Sequence, residues 1–258
     1  MIRILAIGNS FSQDATHYLN QIAAADSTEI LIANLYIGGC SLERHLNNIR
    51  TDAKEYLLEI NGRSTERYVS VSEALAMEDW DYLITQQVSG DSGLIDTYEP
   101  ALTEILAFLR AQKPDAGILL HETWAYETDA LHPDFLKYGS DQRRMYEMLS
   151  GAYRAQARKH GLRLIPCGDA VQQARSREPF LYGYGGMSLC RDGFHMNLIY
   201  GRYLLAAVWY RFFTGRKIAG NPYRPHTELA PNAVCDEGVL RAVQDAVDAY
   251  FDGARDAE

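Results

Sequence analysis

The chain opens with M-I-R-I-L-A-I-G-N-S-F-S (Met1–Ser12), in which a short apolar run gives way abruptly to small polar residues. The run Ile2–Ile7 is β-branched and apolar at nearly every position, which favours a buried central strand of a parallel sheet over a helix. Gly8 ends the strand. Asn9 and Ser10 would therefore lie at its carboxyl end, where open α/β sheets bind their ligands. The sequence predicts Ser10 as a nucleophile on a sharp turn.

Four further apolar runs end in small or polar residues and are separated by segments with helical periodicity. They are Ile30–Tyr36, Tyr82–Thr85, Ile118–His121 and Leu162–Pro166. Helices are predicted at Asp14–Ala25, Glu99–Gln112, Asp141–His160, Asn197–Phe213 and Glu237–Phe251. This alternation is typical of βαβ units, so the sequence predicts an α/β protein with a parallel five-stranded sheet.

A different pattern lies between the second and third predicted strands. The segment 56–71 contains Asn61 and Gly62, and an Asn-Gly pair favours the positive φ values of a tight hairpin turn. We therefore expect a β-hairpin insertion at 56–71. The length of 258 residues suits one α/β domain over 1–258, since no repeat or low-complexity segment divides the chain.

Composition excludes several classes of protein. Hydrophobic residues make up 47% of the chain, and no apolar run approaches the roughly 20 residues of a membrane-spanning helix. A formal net charge of −9 without a Lys/Arg run argues against a nucleic-acid partner. The start of the chain lacks a charged segment followed by an apolar one, so we expect no secretory signal and a cytoplasmic location. Oligomeric state is left open.

Metal and cofactor binding are not indicated by the sequence. The cysteines show no C-x-x-C spacing, and His121-Glu122 does not continue into H-E-x-x-H. The four cysteines are Cys40, Cys167, Cys190 and Cys235. We predict chemistry without metal or cofactor and leave disulfide pairing open.

A serine nucleophile needs a base to accept its proton and a third group to orient that base. The segment C-R-D-G-F-H-M-N (Cys190–Asn197) offers both, because Asp192 and His195 are three residues apart on one loop. That spacing lets a carboxylate reach one imidazole nitrogen while the other faces outward. Asp192 also suits a turn or cap beside Gly193, and His195 a partly buried core position. The catalytic interpretation gains weight from its combination with the G-N-S-F-S loop.

Gly8-Asn9-Ser10-Phe11-Ser12 resembles the first block of the SGNH, or GDSL-like, hydrolases, with asparagine in place of the usual aspartate, and D-G-F-H resembles their last block. The resemblance implies a three-layer, flavodoxin-like α/β/α sandwich with a parallel five-stranded sheet. It also implies Ser10 as nucleophile, His195 as base and Asp192 as orienting carboxylate. The chain is similar to one branch of unknown function in particular, through I-G-N-S-F-S, Y-I-G-G-C-S-L-E-R-H, D-Y-L-I-T-Q-Q-V-S-G, E-T-W-A-Y, D-Q-R-R-M-Y and R-D-G-F-H.

The blocks between the two ends are less regular. Gly39 fits the family glycine whose N–H binds the oxyanion, together with the N–H of Ser10, although a glycine there also suits a simple turn. The family's third block ends in G-x-N-D, whereas this chain reads T-Q-Q-V-S-G-D and has no asparagine. Gln87 is predicted as the replacement donor, because its amide offers the same N–H on a longer stem. Gln86 and Ser89 are the next candidates.

Substrate contacts are predicted from polar and aromatic residues near the ends of predicted elements. Trp124 and Tyr126 follow the fourth strand and would stack on a sugar ring if exposed, or pack the loop if buried. The polar candidates are Ser89, Asp141, Gln142 and Arg175. The alternative role for such residues is to cap a helix or to lie solvated at the surface.

These residues and the resemblance together predict a metal-independent serine esterase. It would remove an acyl group, acetyl in the first instance, from a carbohydrate or related small ester through an acyl-enzyme. The expected partner is thus a small-molecule or glycan ester, with neither nucleic acid nor membrane involved. Two alternatives stay open: a catalytically weak glycan-binding protein, motivated by the missing asparagine, and an acyltransferase that uses an acceptor other than water.

Overall fold

A seven-stranded sheet lies at the centre of the computed structural model, which describes residues 1–255. In chain order its strands are β1 (Ile2–Gly8), β2 (Ile30–Tyr36), β3 (Tyr56–Ile60), β4 (Arg63–Val69), β5 (Tyr82–Thr85), β6 (Gly117–His121) and β7 (Arg163–Ile165). The order across the sheet is β4-β3-β2-β1-β5-β6-β7. Strands β2, β1, β5, β6 and β7 run parallel, and β3 and β4 join antiparallel.

Helices cover both faces of the sheet. They are α1 (Ser10–Thr16), α2 (Leu19–Ala25), α3 (Leu42–Thr51), α4 (Val71–Leu75), α5 (Ala101–Gln112), α6 (Gln142–His160), α7 (Cys167–Ala174), α8 (Tyr200–Thr214) and α9 (Glu237–Arg255). Helix α8 packs against α1, α2, α7 and α9, whereas α3 packs against α4 and α5. The right-handed crossovers expected between parallel strands put these two groups on opposite faces of the sheet.

The prediction of a parallel five-stranded sheet was wrong in strand number and in pairing. The five predicted parallel strands are present, but the hairpin expected as an insertion extends the sheet to seven strands and makes it mixed. Strand β3 pairs with β2, from Ala33 opposite Ile60 to Tyr36 opposite Leu57. Without β3, the edge of β2 would expose a row of unpaired backbone groups, which is the physical reason for the addition.

The turn of the hairpin follows the sequence pattern. Asn61 and Gly62 have φ values of +53° and +78°, as a tight turn requires. The Asn61 side chain also accepts a hydrogen bond from the N–H of Ile32 at 3.1 Å, which joins the turn to β2. A Cβ on Gly62 would lie 2.1 Å from the carbonyl oxygen of His17, so only glycine lets the turn approach the helix layer this closely.

Helix α1 begins earlier than the sequence pattern predicted. Asn9 is its N-cap, because the Asn9 side chain accepts from the N–H of Phe11 at 3.0 Å. The Ser12 hydroxyl in turn accepts from the N–H of Asn9, also at 3.0 Å, which completes a capping box. The G-N-S-F-S segment is therefore a helix start that presents Ser10 at its first turn. The predicted helix Asp14–Ala25 is divided into α1 and α2.

In residues 1–255, no helix combines the length and the apolar character that crossing a membrane requires.

All four cysteines are free thiols, so no disulfide bond forms among them.

A buried carboxylate pair lies behind the carboxyl end of β6. Glu122 is fully buried and accepts a hydrogen bond from the N–H of Asp169 at 2.9 Å. Asp169 accepts from Arg154 at 2.6 Å, from Tyr146 at 2.9 Å and from Tyr250 at 3.0 Å. Burial, reinforced by the neighbouring Asp169 carboxylate, raises the pKa of Glu122 well above its ordinary value of 4.5.

This raised pKa makes stability depend on pH. The folded state keeps the Glu122 proton to a higher pH than the unfolded chain, which releases it near pH 4.5. The free energy of unfolding contributed by this group therefore falls as pH rises above about 4.5, until the carboxyl of the folded state has ionised as well. We expect Glu122→Gln to be increasingly more stable than the wild type from pH 5 to pH 8 in urea denaturation. Parallel pH curves for the two proteins would contradict this, and Glu147→Gln, at an exposed position, is the control.

Candidate active site

Ser10, His195 and Asp192 meet at the carboxyl edge of the sheet. The Ser10 hydroxyl lies 2.9 Å from Nε2 of His195, and Nδ1 of His195 lies 2.7 Å from Oδ2 of Asp192. Partial burial opposes ionisation of Asp192, but its hydrogen bonds with the side chain and N–H of His195 prevail and lower its pKa. Because an ionised carboxylate only accepts, Nδ1 donates to Asp192 and Nε2 is left to accept from Ser10.

The loop that carries Asp192 and His195 is closed on itself. Cys190 and Met196 form an antiparallel bridge, and the N–H of Arg191 donates to the carbonyl of His195 at 2.9 Å. The second oxygen of Asp192 accepts the backbone N–H of His195 at 2.7 Å. The Asp-Gly turn and the carboxylate–imidazole pair, which the sequence offered as alternatives, are thus both present in one loop.

Asp14 joins this loop to the helix that carries Ser10. Its carboxylate is fully buried and accepts from the N–H of Met196 at 2.8 Å, from Arg202 at 2.8 Å and from Arg191 at 3.1 Å. Ser10 and Asp14 are four residues apart on α1 and so lie on the same helix face. This role was not predicted from the sequence, although the i, i+4 spacing from Ser10 was a usable signal.

Trp124 and Tyr126 are fully buried, so the prediction that they stack on a sugar was wrong and the packing alternative applies. The indole N–H of Trp124 donates to the carbonyl of Phe194 at 2.8 Å, and its ring stacks on Phe11 with centroids 4.0 Å apart. Trp124 therefore contacts the residue after Ser10 and the residue before His195. The Tyr126 hydroxyl lies 2.9 Å from that of Ser89, which is itself buried, so the prediction of Ser89 as a substrate contact was also wrong.

The predicted oxyanion donors Ser10 and Gly39 lie on neighbouring turns. Gly39 is exposed, with φ of +62°, in the turn after β2. The Asn9 amide donates to the carbonyl of Cys40 at 3.0 Å and thereby holds that turn beside the start of α1. Within residues 1–255, neither the N–H of Ser10 nor that of Gly39 donates a hydrogen bond to the protein. Both are therefore available to a ligand.

The prediction of Gln87 as an oxyanion donor is contradicted by its contacts. Its amide nitrogen donates to the carbonyl of Thr97 at 2.9 Å and to the Thr97 hydroxyl at 3.0 Å. Its amide oxygen accepts from the N–H groups of Leu42 and Val88. Gln87 is 1% exposed, so both amide hydrogens are used inside the protein. The residue connects three loops and has no donor left for substrate.

Replacing Gln87 by alanine is therefore expected to affect stability rather than turnover. The N–H groups of Leu42 and Val88 and the carbonyl of Thr97 would lose buried partners, at a cost of about 2–4 kcal/mol in the free energy of unfolding. Urea denaturation measures this, with Gln112→Ala at an exposed position as control. A fall in kcat of about 100-fold at unchanged stability would instead restore Gln87 as a donor.

Gln86 is the glutamine that contacts the nucleophile turn. Its amide nitrogen donates to Oδ1 of Asn9 at 2.7 Å, and its amide oxygen bonds to Nδ1 of His121. Burial lowers the pKa of His121 to about 3, so its imidazole is neutral and donates from Nδ1. This bond fixes the Gln86 amide with its nitrogen toward Asn9. A primary amide carries two hydrogens, and the bond to Asn9 uses one of them.

Residues 3–236 match the family described as Domain of unknown function (DUF4886). The chain belongs to the DUF4886 family. A crystal structure of a DUF4886 family protein from Bacteroides uniformis is 37% identical to it, with a TM-score of 0.87 over 97% of this chain and 94% of that one. A search of curated proteins finds no match to this sequence.

More distant solved structures share the fold of this DUF4886 family member. A protein of Slackia heliotrinireducens assigned to the SGNH hydrolases is 23% identical, with a TM-score of 0.55 over 82% of this chain and 98% of that one. A catalytic mutant of an acetylxylan esterase from Geobacillus stearothermophilus is 14% identical, with a TM-score of 0.54 over 83% and 94%. These likenesses confirm the SGNH-type α/β fold that the first and last sequence blocks predicted.

In this DUF4886 family member, Arg175 and Gln142 bond to Glu127, which in turn bonds to the loop that carries Asp192 and His195. Arg175 is buried and donates to the carbonyl of Ala125 at 2.8 Å and to Glu127 at 3.0 Å, so its prediction as a substrate contact was wrong. Gln142 donates to the other Glu127 oxygen at 3.2 Å. The N–H of Glu127 then donates to the carbonyl of Gly193 at 2.7 Å, beside Asp192. Asp141 takes its alternative role as the N-cap of α6.

Possible metal ligands are dispersed. In the part of the chain that the structure describes, no group of three or more His, Cys, Asp or Glu side chains is arranged to hold a metal ion. The prediction of chemistry without metal or cofactor stays a prediction.

Proposed function

We propose that this protein is a serine esterase that removes an acyl group from a carbohydrate or related small ester. The observation that carries the proposal is the hydrogen-bonded line from Ser10 through His195 to Asp192. A serine hydroxyl, an imidazole poised to accept and an ionised carboxylate are the parts that nucleophilic acyl transfer requires. The distant SGNH relatives with the same fold support the same class of reaction.

In the proposed reaction, Ser10 Oγ attacks the ester carbonyl carbon while Nε2 of His195 accepts the hydroxyl proton. Asp192 stabilises the imidazolium that forms. The N–H groups of Ser10 and Gly39 bind the oxyanion of the tetrahedral intermediate. His195 then returns the proton to the departing alcohol, which leaves the acyl group on Ser10. Water, deprotonated by His195, attacks this acyl-enzyme and releases the carboxylic acid.

We assign the oxyanion to the N–H groups of Ser10 and Gly39 alone. Gln86 is 1% exposed, as is Gln87, so neither amide is offered to a substrate. The role we assign to Gln86 is to hold the Asn9 side chain, and with it the turn before Ser10, through its bond at 2.7 Å.

An acetylated saccharide is the first substrate to test. Support comes from the acetylxylan esterase among the structural relatives. Because Trp124 and Tyr126 are fully buried, they provide no argument for a saccharide substrate.

The test combines covalent labelling with product release. A fluorophosphonate probe is expected to react with the folded protein, and peptide mapping is expected to locate the added mass on Ser10. The protein is also expected to release acetate from acetylated xylo-oligosaccharides. Heat-denatured protein is the control for nonspecific labelling. Absence of both labelling and acetate release would overturn the proposal, and acyl transfer to an added alcohol in place of water would favour the acyltransferase alternative.

A further inference from the structure

A second cavity lies at the opposite end of α1 from Ser10. It has a volume of about 760 Å³ and forms between the α1–α2 junction, the hairpin turn and the segment 223–229. Cavities of this size commonly bind small molecules. At 1.5 Å per residue, the seven residues of α1 separate Ser10 from His17 by about 10 Å along the helix axis. None of the lining residues belongs to the candidate active site.

The half-buried ring of Tyr223 forms the aromatic wall of this cavity, and the buried rings of Tyr18 and Tyr203 support it. The rings of Tyr18 and Tyr223 meet at a centroid distance of 5.7 Å, and Tyr223 lies parallel to Tyr203 at 6.5 Å. The hydroxyl of Tyr18 is held by the carbonyl of Leu198 at 2.8 Å. Because these contacts fix the Tyr223 ring in place, it offers a preformed apolar surface to the C–H face of a sugar ring.

Polar groups without protein partners line the rest of the cavity. The amide oxygen of Gln21 is buried and accepts no hydrogen bond from residues 1–255, while its nitrogen donates to the carbonyl of Asn61 at 3.2 Å. The imidazole of His17 likewise makes no hydrogen bond within those residues. Burial, followed by the charges of Arg202, Arg191 and Arg63, lowers the pKa of His17 to about 3. His17 is therefore neutral and offers one acceptor and one donor.

The charges around the cavity nearly cancel. Arg224 pairs with Glu237, whereas Arg63 and Glu228 contribute one charge of each sign. A neutral ligand with several hydroxyl groups satisfies such a lining better than an ion does, because hydroxyls both donate to the free acceptors and accept from Arg63.

We propose that this cavity is a saccharide-binding site, in which a neutral pyranose ring packs against Tyr223 and its hydroxyls bond to Gln21, His17 and Arg63. The site is separate from the proposed chemistry at Ser10. The ligand class follows from the combination of a fixed aromatic wall with unpaired donors and acceptors.

The test measures binding of unesterified xylotetraose and cellotetraose, so the result does not depend on whether Ser10 is a nucleophile. Saturation-transfer NMR and calorimetry on the full chain are expected to detect binding of at least one of the two. Tyr223→Ala is expected to weaken it about tenfold or more through loss of the ring contact. Arg63→Ala changes an exposed hairpin residue and tests the site without removing a packed ring. Arg67→Ala, on the same strand but outside the cavity, is the matched control.

Weakening by Arg63→Ala and Tyr223→Ala, with Arg67→Ala unchanged, supports the proposal. No binding of either saccharide to the wild-type protein overturns it, as does binding that both cavity variants leave unaltered.

Discussion

Replacing Ser10 by alanine is expected to lower kcat for hydrolysis of a short acyl ester by a factor of about 10⁴ or more. Without its hydroxyl, no atom lies between His195 and the ester carbonyl to form the acyl-enzyme. The fold is expected to survive, because the capping of α1 depends on Asn9 and Ser12 and not on Ser10. Initial rates with 4-nitrophenyl acetate, alongside thermal melting, measure both effects.

The matched control for this substitution is Ser176→Ala, at an exposed position outside the site. The control is expected to retain wild-type rates and labelling by the fluorophosphonate probe. A Ser10→Ala protein that is still labelled and still turns over at a rate close to that of the wild type would point to another nucleophile.

Removing the Asp14 carboxylate is the second change for which we expect a large effect. In Asp14→Ala the guanidinium of Arg202, whose side chain is 4% exposed, would lose its buried counter-charge. Uncompensated buried charges of this kind cost about 3–5 kcal/mol of stability. The N–H of Met196 would also lose its acceptor, so the loop that carries His195 would lose its main connection to α1.

Because Asp14→Ala risks unfolding, Arg191→Met separates positioning from stability. The Arg191 side chain is 29% exposed, and its loss leaves Asp14 paired with Arg202. We expect kcat to fall about 10- to 100-fold with little change in KM, because a displacement of about 1 Å between reacting groups has effects of that size. The rate of probe labelling should fall in parallel, since it depends on the same Ser10–His195 contact.

A surface arginine provides the comparison for Arg191→Met. Arg143 pairs with Glu147 at an exposed helix surface, where such pairs contribute little, so Arg143→Met should behave as the wild type. If Arg191→Met keeps full kcat and full labelling, the Arg191–Asp14 ion pair does not position the loop that carries His195.

The roles of Gln86 and Gln87 differ only because of the loops that pack against them. Both follow β5 and carry the same amide, so composition and spacing do not distinguish them. Their neighbours do: Gln87 meets Thr97 and Leu42, whereas Gln86 meets Asn9 and His121. The loop that packs against each side chain depends on how the loops assemble at the carboxyl edge of the sheet.

The sequence was enough to predict the five parallel strands, the turn that presents Ser10 and the pairing of Asp192 with His195. Each of these depends on the periodicity, turn chemistry or spacing of a few consecutive residues. Long-range packing was needed to establish that the hairpin extends the sheet, that Trp124 is buried and that Asp14 holds the loop of Asp192 and His195. The partners in those contacts lie far apart in the chain: Trp124 and Phe194 are separated by 70 residues, and Asp14 and Met196 by 182. No local sequence pattern predicts which of these distant residues come into contact.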